Sequence, residues 1–238
     1  MRARTWPLIA LLLLVPLVCW AWIAALAVDM YGPMTGASAW MMTPRWNAPH
    51  VLLLWAMWAV MMTGMMLPSA APVIVLARGG ARPYWLALGY VFVWAAFSAA
   101  ATALQALLGT LLILTPMMEP SSRLTGAALL ALAGIYQWTP LKRACLSTCQ
   151  TPMAFLTRRW RSGAAGAFRM GAEHGVYCVG CCWALMLLLF AGGVMNLTVI
   201  AALTLFVAFE KLAPVGMWAT RASGAALLML AMWMVVGS

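Results

Sequence analysis

From Trp6 to Val28 the chain runs without one charged residue. A helix needs about 20 apolar residues to cross a bilayer core, so this run alone points to a membrane protein. Similar stretches cover roughly residues 50–67, 84–114, 124–141, 176–195, 197–213 and 220–237. The composition agrees, at 66% hydrophobic and 8% charged, against about 25% charged in soluble domains. The expected fold class is all-α, a polytopic transmembrane helical bundle of about seven spans forming one integral membrane domain over 1–238.

Several boundaries carry their own signals. Ala25-Leu26-Ala27 resembles a signal-peptide cleavage site, but Trp20 and Trp22 favour an anchor that stays. Pro68 and Pro72 are expected to bend or end the second span. The third is long enough to imply tilt or a break. Lys142 to Gly175 is the longest polar segment, read as a basic loop with a short interfacial helix over 164–173.

The charge balance is 14 Lys and Arg against 4 Asp and Glu. In a soluble protein that excess would suggest nucleic acid. Here it reads as positive-inside asymmetry, and nucleic acid is not an expected partner. With seven spans, Arg2, Arg4, Arg78, Arg82, the six basic residues of 142–175, Lys211 and Arg221 fall on one side. Only Arg45 and Arg123 fall on the other. The rich side is cytoplasmic by that rule, which puts the N-terminus inside. Arg158, Arg159 and Arg161, with Trp160 among them, suit anionic headgroups.

The orientation gathers the chemistry on one face. Cys145 and Cys149 follow the fourth span, and Cys178, Cys181 and Cys182 open the fifth. At 100° per residue, His174, Cys178, Cys181 and Cys182 fall within roughly 100° of one helix face, and Met186 continues it one turn deeper. Thiolates and thioethers select Cu(I), zinc or iron–sulfur clusters. The thioethers favour Cu(I), which accepts two or three soft ligands, so the five cysteines could make one site or two. The alternative for any single cysteine is packing as a small apolar residue, and Cys19, far from the others, fits that role. Met57, Met61 and Met65 repeat every four residues along the second span, with Met62 and Met66 beside them. They read either as a thioether lining or as gap-filling core. Glu210, inside an apolar run, is costly there unless paired or functional. A basic residue of the cytoplasmic segment is one partner, and a metal or proton role the other reading. His50, with Met41 and Met42, could meet a metal on the outer side but reads better as an interfacial histidine. No Walker A motif, nucleophile elbow or dinucleotide fingerprint appears, and no catalytic residue is singled out.

Five strings resemble the bacterial DUF2182 family of predicted metal-binding integral membrane proteins, some of them labelled copper chaperones. They are "MMTGMMLPSAAP", "GYVFVWAAFS", "YQWTPLKRACLSTCQTPMAFL", "HGVYCVGCCWALM" and "AFEKLAP". The resemblance implies Cys145, Cys149, Cys178, Cys181 and Cys182 as ligands and supplies no reaction. The function expected is copper handling in the bacterial inner membrane, as a Cu(I) chaperone, carrier or sensor. A transmembrane thiol–disulfide oxidoreductase and a structural subunit of a larger membrane complex are the alternatives. The expected partners are membrane lipids, subunits of such a complex, or a soluble copper protein.

Overall fold

The computed structural model describes residues 6–32, 34, 39, 41, 46–77, 82–115, 118, 120–213 and 216–236, without the side chains of 216 and 217. Arg2, Arg4, Met42, Arg45 and Arg78 lie outside the described residues, so the charge asymmetry rests there partly on sequence alone. Ten helices are described, α1 to α10 in chain order. They are α1 (Trp6–Met30), α2 (Ala48–Leu76), α3 (Arg82–Thr110), α4 (Arg123–Gln137) and α5 (Pro140–Gln150), then α6 (Pro152–Arg159), α7 (Gly163–Met186), α8 (Leu188–Gly192), α9 (Leu197–Leu212) and α10 (Gly216–Val236). Among the described residues there is no strand beyond one isolated bridge between Leu114 and Pro120.

Five helical stretches are long and apolar enough to cross a membrane: Trp6–Met30, Ala48–Leu76, Arg82–Thr110, Gly163–Gly192 and Trp218–Val236. The two other apolar segments form the shorter α4 and α9, of 15 and 16 residues. Ser122 caps the start of α4 by accepting from the Thr125 amide, and Asn196 caps α9 by accepting from Thr198 and Val199. Side-chain caps satisfy amides that a helix start leaves orphaned. Both short helices carry the chain back to one level of the bundle. Tyr136, at the end of α4, bonds the Gly180 carbonyl of α7, and Lys211, at the end of α9, reaches Cys178.

Two boundaries differ from expectation. α2 runs through Pro68 and Pro72 without ending. Neighbouring hydroxyls serve the backbone there, since Ser69 Oγ and Tyr90 OH both donate to the Met66 carbonyl, at 2.8 and 3.0 Å. The carbonyls that Pro68 and Pro72 leave without an amide are those of Gly64 and Pro68, four residues earlier, and prolines are tolerated in spanning helices where the surroundings or local adjustment compensate. The segment 142–175 is mostly helical rather than a loop. Its latter part belongs to α7, which starts at Gly163 and continues through the cysteines to Met186.

α2 and α7 lie centrally, with more than half of their most apolar windows buried, against less than a third for α1, α3 and α10. The outer faces carry exposed apolar residues such as Leu13, Leu17, Phe92, Leu205 and Trp233, as a lipid-facing surface would. α3 packs against α7 at close range. A Cβ on Gly89 would strike the Phe168 carbonyl, and one on Gly171 the Leu86 carbonyl. Small residues let membrane helices approach this closely. That contact sets Tyr90 of α3 against Cys178 of α7. At the basic end, Arg82 lies 4.0 Å above the Trp160 ring and donates to the Arg161 carbonyl, while Arg161 pairs with Glu173 at 2.8 Å. Tyr90 sits eight residues further along α3, about 12 Å at 1.5 Å per residue.

Candidate metal centre

α5 and α7 bring both cysteine groups together. Cys145 and Cys149 share one face of α5 through their four-residue spacing. Gly180 of α7 gives Cys145 room, and a Cβ there would lie 2.7 Å from the Cys145 sulfur. Cys149 is half-buried, and its thiol hydrogen-bonds to Cys181. That bond, then burial, pushes the Cys149 thiol well above its ordinary range. Burial also raises the Cys145 thiol, aided by repulsion from Cys181. Cys178, Cys181 and Cys182 are fully buried. The side chains of Cys149, Cys178 and Cys182 all hydrogen-bond to Cys181. The Cys181 and Cys182 thiols also donate to the Cys178 carbonyl, at 3.1 and 3.0 Å. All six cysteines are free thiols.

Two side chains from other helices close on Cys178. Lys211 Nζ of α9 lies 2.7 Å from its sulfur, and Tyr90 OH of α3 lies 2.9 Å away. The same ammonium meets Ser69 Oγ at 3.3 Å and Met66 Sδ at 3.8 Å on α2. Met66, outside the 57/61/65 row, is thus the thioether that joins the cluster's polar contacts. Met57, Met61 and Met65 are buried in the apolar core with Met62. Met186 is buried at the end of α7.

His174 is buried one turn before Cys178. Its ring centroid stands 5.1 Å from Phe155 and 5.9 Å from Tyr90. Its Nδ1 has no hydrogen-bond partner among the described residues. Buried polar nitrogens are normally satisfied, so this atom suits a ligand's role. Cys19 is buried in α1 against Gly64 of α2, as packing predicts. His50 is buried near the start of α2, its ring edge-on to Trp46 at 5.2 Å.

Glu210 is committed elsewhere. Its Oε2 accepts from Lys142 Nζ at 2.7 Å, with both side chains almost wholly buried, and its Oε1 accepts from Gln137 at 3.3 Å. The pairing reading of this carboxylate therefore fits its geometry, and Lys142, expected in a solvated loop, is its partner. Lys211, Tyr90, Ser69 and Gln137 escaped the sequence reading as site residues. For Lys211 a signal existed, because a lysine inside an apolar run is as costly as a glutamate. For Tyr90 none did.

Among the described residues, no three His, Cys, Asp or Glu side chains form a group that could hold a metal ion. Cys178, Cys181 and Cys182 hydrogen-bond to one another, and Cys149 joins them through Cys181. The cysteine side chains that do meet make a soft donor set.

No curated protein and no solved structure matches the chain. A family model does: PpoB2, described as copper chaperone, matches residues 55–234. The match covers α3 to α9 whole, most of α2 and α10, and every residue of the thiol cluster. The chain belongs to this copper-chaperone family.

Proposed function

We propose that the chain accepts Cu(I) as cargo on its thiol cluster, within a bacterial cytoplasmic membrane, and passes it on. The N-terminus is cytoplasmic in this reading, with α4 and α9 completing seven crossings. The cluster then lies about two turns inside the cytoplasmic face. The observation that carries the proposal is the convergence of Cys149, Cys178 and Cys182 on Cys181. Reduced cytosolic thiols stay available as ligands. Cys178, Cys181, Cys182 and Cys149 are the proposed donors, with Cys145, His174, Met66 and Met186 at their margin.

Loading detergent-purified protein with Cu(I), followed by metal analysis, tests this. Wild type should retain copper, and the Cys178→Ala/Cys181→Ala/Cys182→Ala variant should retain almost none. Equal copper in both would sink the reading. Each thiol must lose its proton to bind. Cu(I) uptake should therefore release protons, and apparent affinity should rise from mildly acidic to mildly alkaline pH. A pH-independent affinity would argue against thiolate donors. In the metal-free protein the same raised Cys149 acts oppositely on stability. Above about pH 8.5 the unfolded chain sheds this proton while the fold retains it, so stability falls as pH climbs.

One observation favours a second reading. The Lys211 ammonium beside Cys178 is the environment of a reactive thiol, and Cys178-Val179-Gly180-Cys181 has the C-x-x-C form of a redox pair. Thiol trapping in whole cells separates the two. A Cys178–Cys181 disulfide pool that follows cellular redox state supports an oxidoreductase, and permanently reduced thiols support copper handling.

A further inference from the structure

The basic end of the bundle carries a cleft that takes no part in the thiol cluster. Met153, Leu156, Thr157 and Trp160 recur at i, i+3, i+4 and i+7 along α6 and its cap, so they share one face. With Leu76, the last residue of α2, they line a cleft of about 360 Å³. Met153 and Trp160 are each more than half exposed, while the opposite face of α6 packs Phe155 onto His174 at 5.1 Å. The cleft wall is thus largely apolar. It lies where a spanning helix ends, the level at which tryptophan meets headgroups. Its rim is cationic. The Arg82 guanidinium lies 4.0 Å above the Trp160 ring and donates one N–H to the Arg161 carbonyl. Arginine carries five such donors, and among the described residues no carboxylate meets Arg82. Nearby, Arg159, Arg161 and Arg169 share the single carboxylate of Glu173. This end therefore sets unmatched positive charge beside exposed hydrocarbon.

We infer that this cleft seats one anionic phospholipid of the surrounding leaflet, with its phosphate on Arg82 and an acyl chain along Leu76, Met153 and Leu156. A basic run attracts headgroups diffusely, whereas this arrangement gives one lipid a defined place. The occupant must bring an anion and hydrocarbon together. Free phosphate would use the rim and leave the wall bare, and so would an acidic soluble protein. A zwitterionic lipid would bring a cationic group to a rim whose nearby carboxylate, Glu173, is already shared by three arginines. The head therefore carries net negative charge, as phosphatidylglycerol does. A planar guanidinium suits phosphate through paired N–H···O bonds, and stacking on Trp160 fixes its plane. The inference rests on the membrane placement proposed above and not on the copper cargo.

The experiment uses the full chain, purified in mild detergent and exchanged into micelles that hold phosphatidylglycerol or phosphatidylcholine of the same acyl chains. Native mass spectrometry reads the lipid retained. One phosphatidylglycerol per chain with little phosphatidylcholine is expected, and equal retention of the two overturns the inference. Arg82→Gln should lower phosphatidylglycerol retention about tenfold, the scale of one hydrogen bond to a charged group. Arg169→Gln removes the same charge outside the cleft lining and should retain the lipid as wild type does. Equal loss in these two variants means diffuse attraction only, which overturns the site. Thr157→Phe keeps the charge and fills the cleft from an exposed position, so it should lose the lipid as well. Wild-type retention in Thr157→Phe overturns the cleft as the seat. Circular dichroism checks that each variant is folded, and where Arg82→Gln is not, Thr157→Phe decides. Thr157→Phe should still retain copper, so a failure of the lipid site and a failure of the copper reading are told apart.

Discussion

Glu210→Ala is expected to destabilise the fold by about 3–5 kcal/mol, the cost of leaving one member of a buried ion pair uncompensated. Lys142 is wholly enclosed, and its Nζ lies 2.7 Å from the carboxylate. With Glu210 gone, the ammonium keeps no anion and cannot reach water without unpacking α5 from α9. Gln137 also loses an acceptor. The measurement is thermal unfolding of purified protein, followed by loss of helical circular dichroism. The companion variant separates charge from shape. Lys142→Met with Glu210→Leu removes both charges and should recover most of the lost stability, because well-packed apolar pairs often replace buried ion pairs at no cost. A Glu210→Ala protein as stable as wild type would show that water already reaches this pair.

Gly171→Ala should be nearly as damaging. The added methyl meets the Leu86 backbone of α3, and a backbone carbonyl cannot rotate out of the way as a side chain can. Overpacking commonly costs about 1–3 kcal/mol, and this position lies at the upper end because both sides are helix backbone. The displacement also reaches the thiols. Spreading α3 from α7 draws Tyr90 away from Cys178, now 2.9 Å apart. Copper retention per folded molecule should therefore drop along with melting temperature. Unchanged retention in a destabilised variant would uncouple helix spacing from the site.

The helical bundle was legible because apolar runs of spanning length have few other uses. The cysteine face was legible because donors at i, i+3 and i+4 on a helix must lie together. What the sequence concealed were pairings that cross between helices. Glu210 and Lys211 look like a neighbouring charge pair, yet the turn of α9 sends one to Lys142 and the other to Cys178. Lys142 counts toward orientation among the six basic residues of 142–175, but its side chain is wholly buried. Pro68 and Pro72 look like terminators, yet α2 continues through both, because packing in the bundle outweighs the local preference. The methionine repeat offered two faces with equal weight, and only α9 chooses Met66 by bringing Lys211 to it.

Cys149 is the one half-buried residue among cysteines that are otherwise buried. On the proposed reading, that gives cargo exchange a single threshold. A donor or acceptor thiolate that attacks a bound ion in the ordinary associative way meets it first where Cys149 holds it, while Cys178 and Lys211 remain behind. Rate of hand-over and tightness of holding then belong to different residues. Changes at the threshold alter how quickly the ion leaves, and changes behind it alter how tightly it is held.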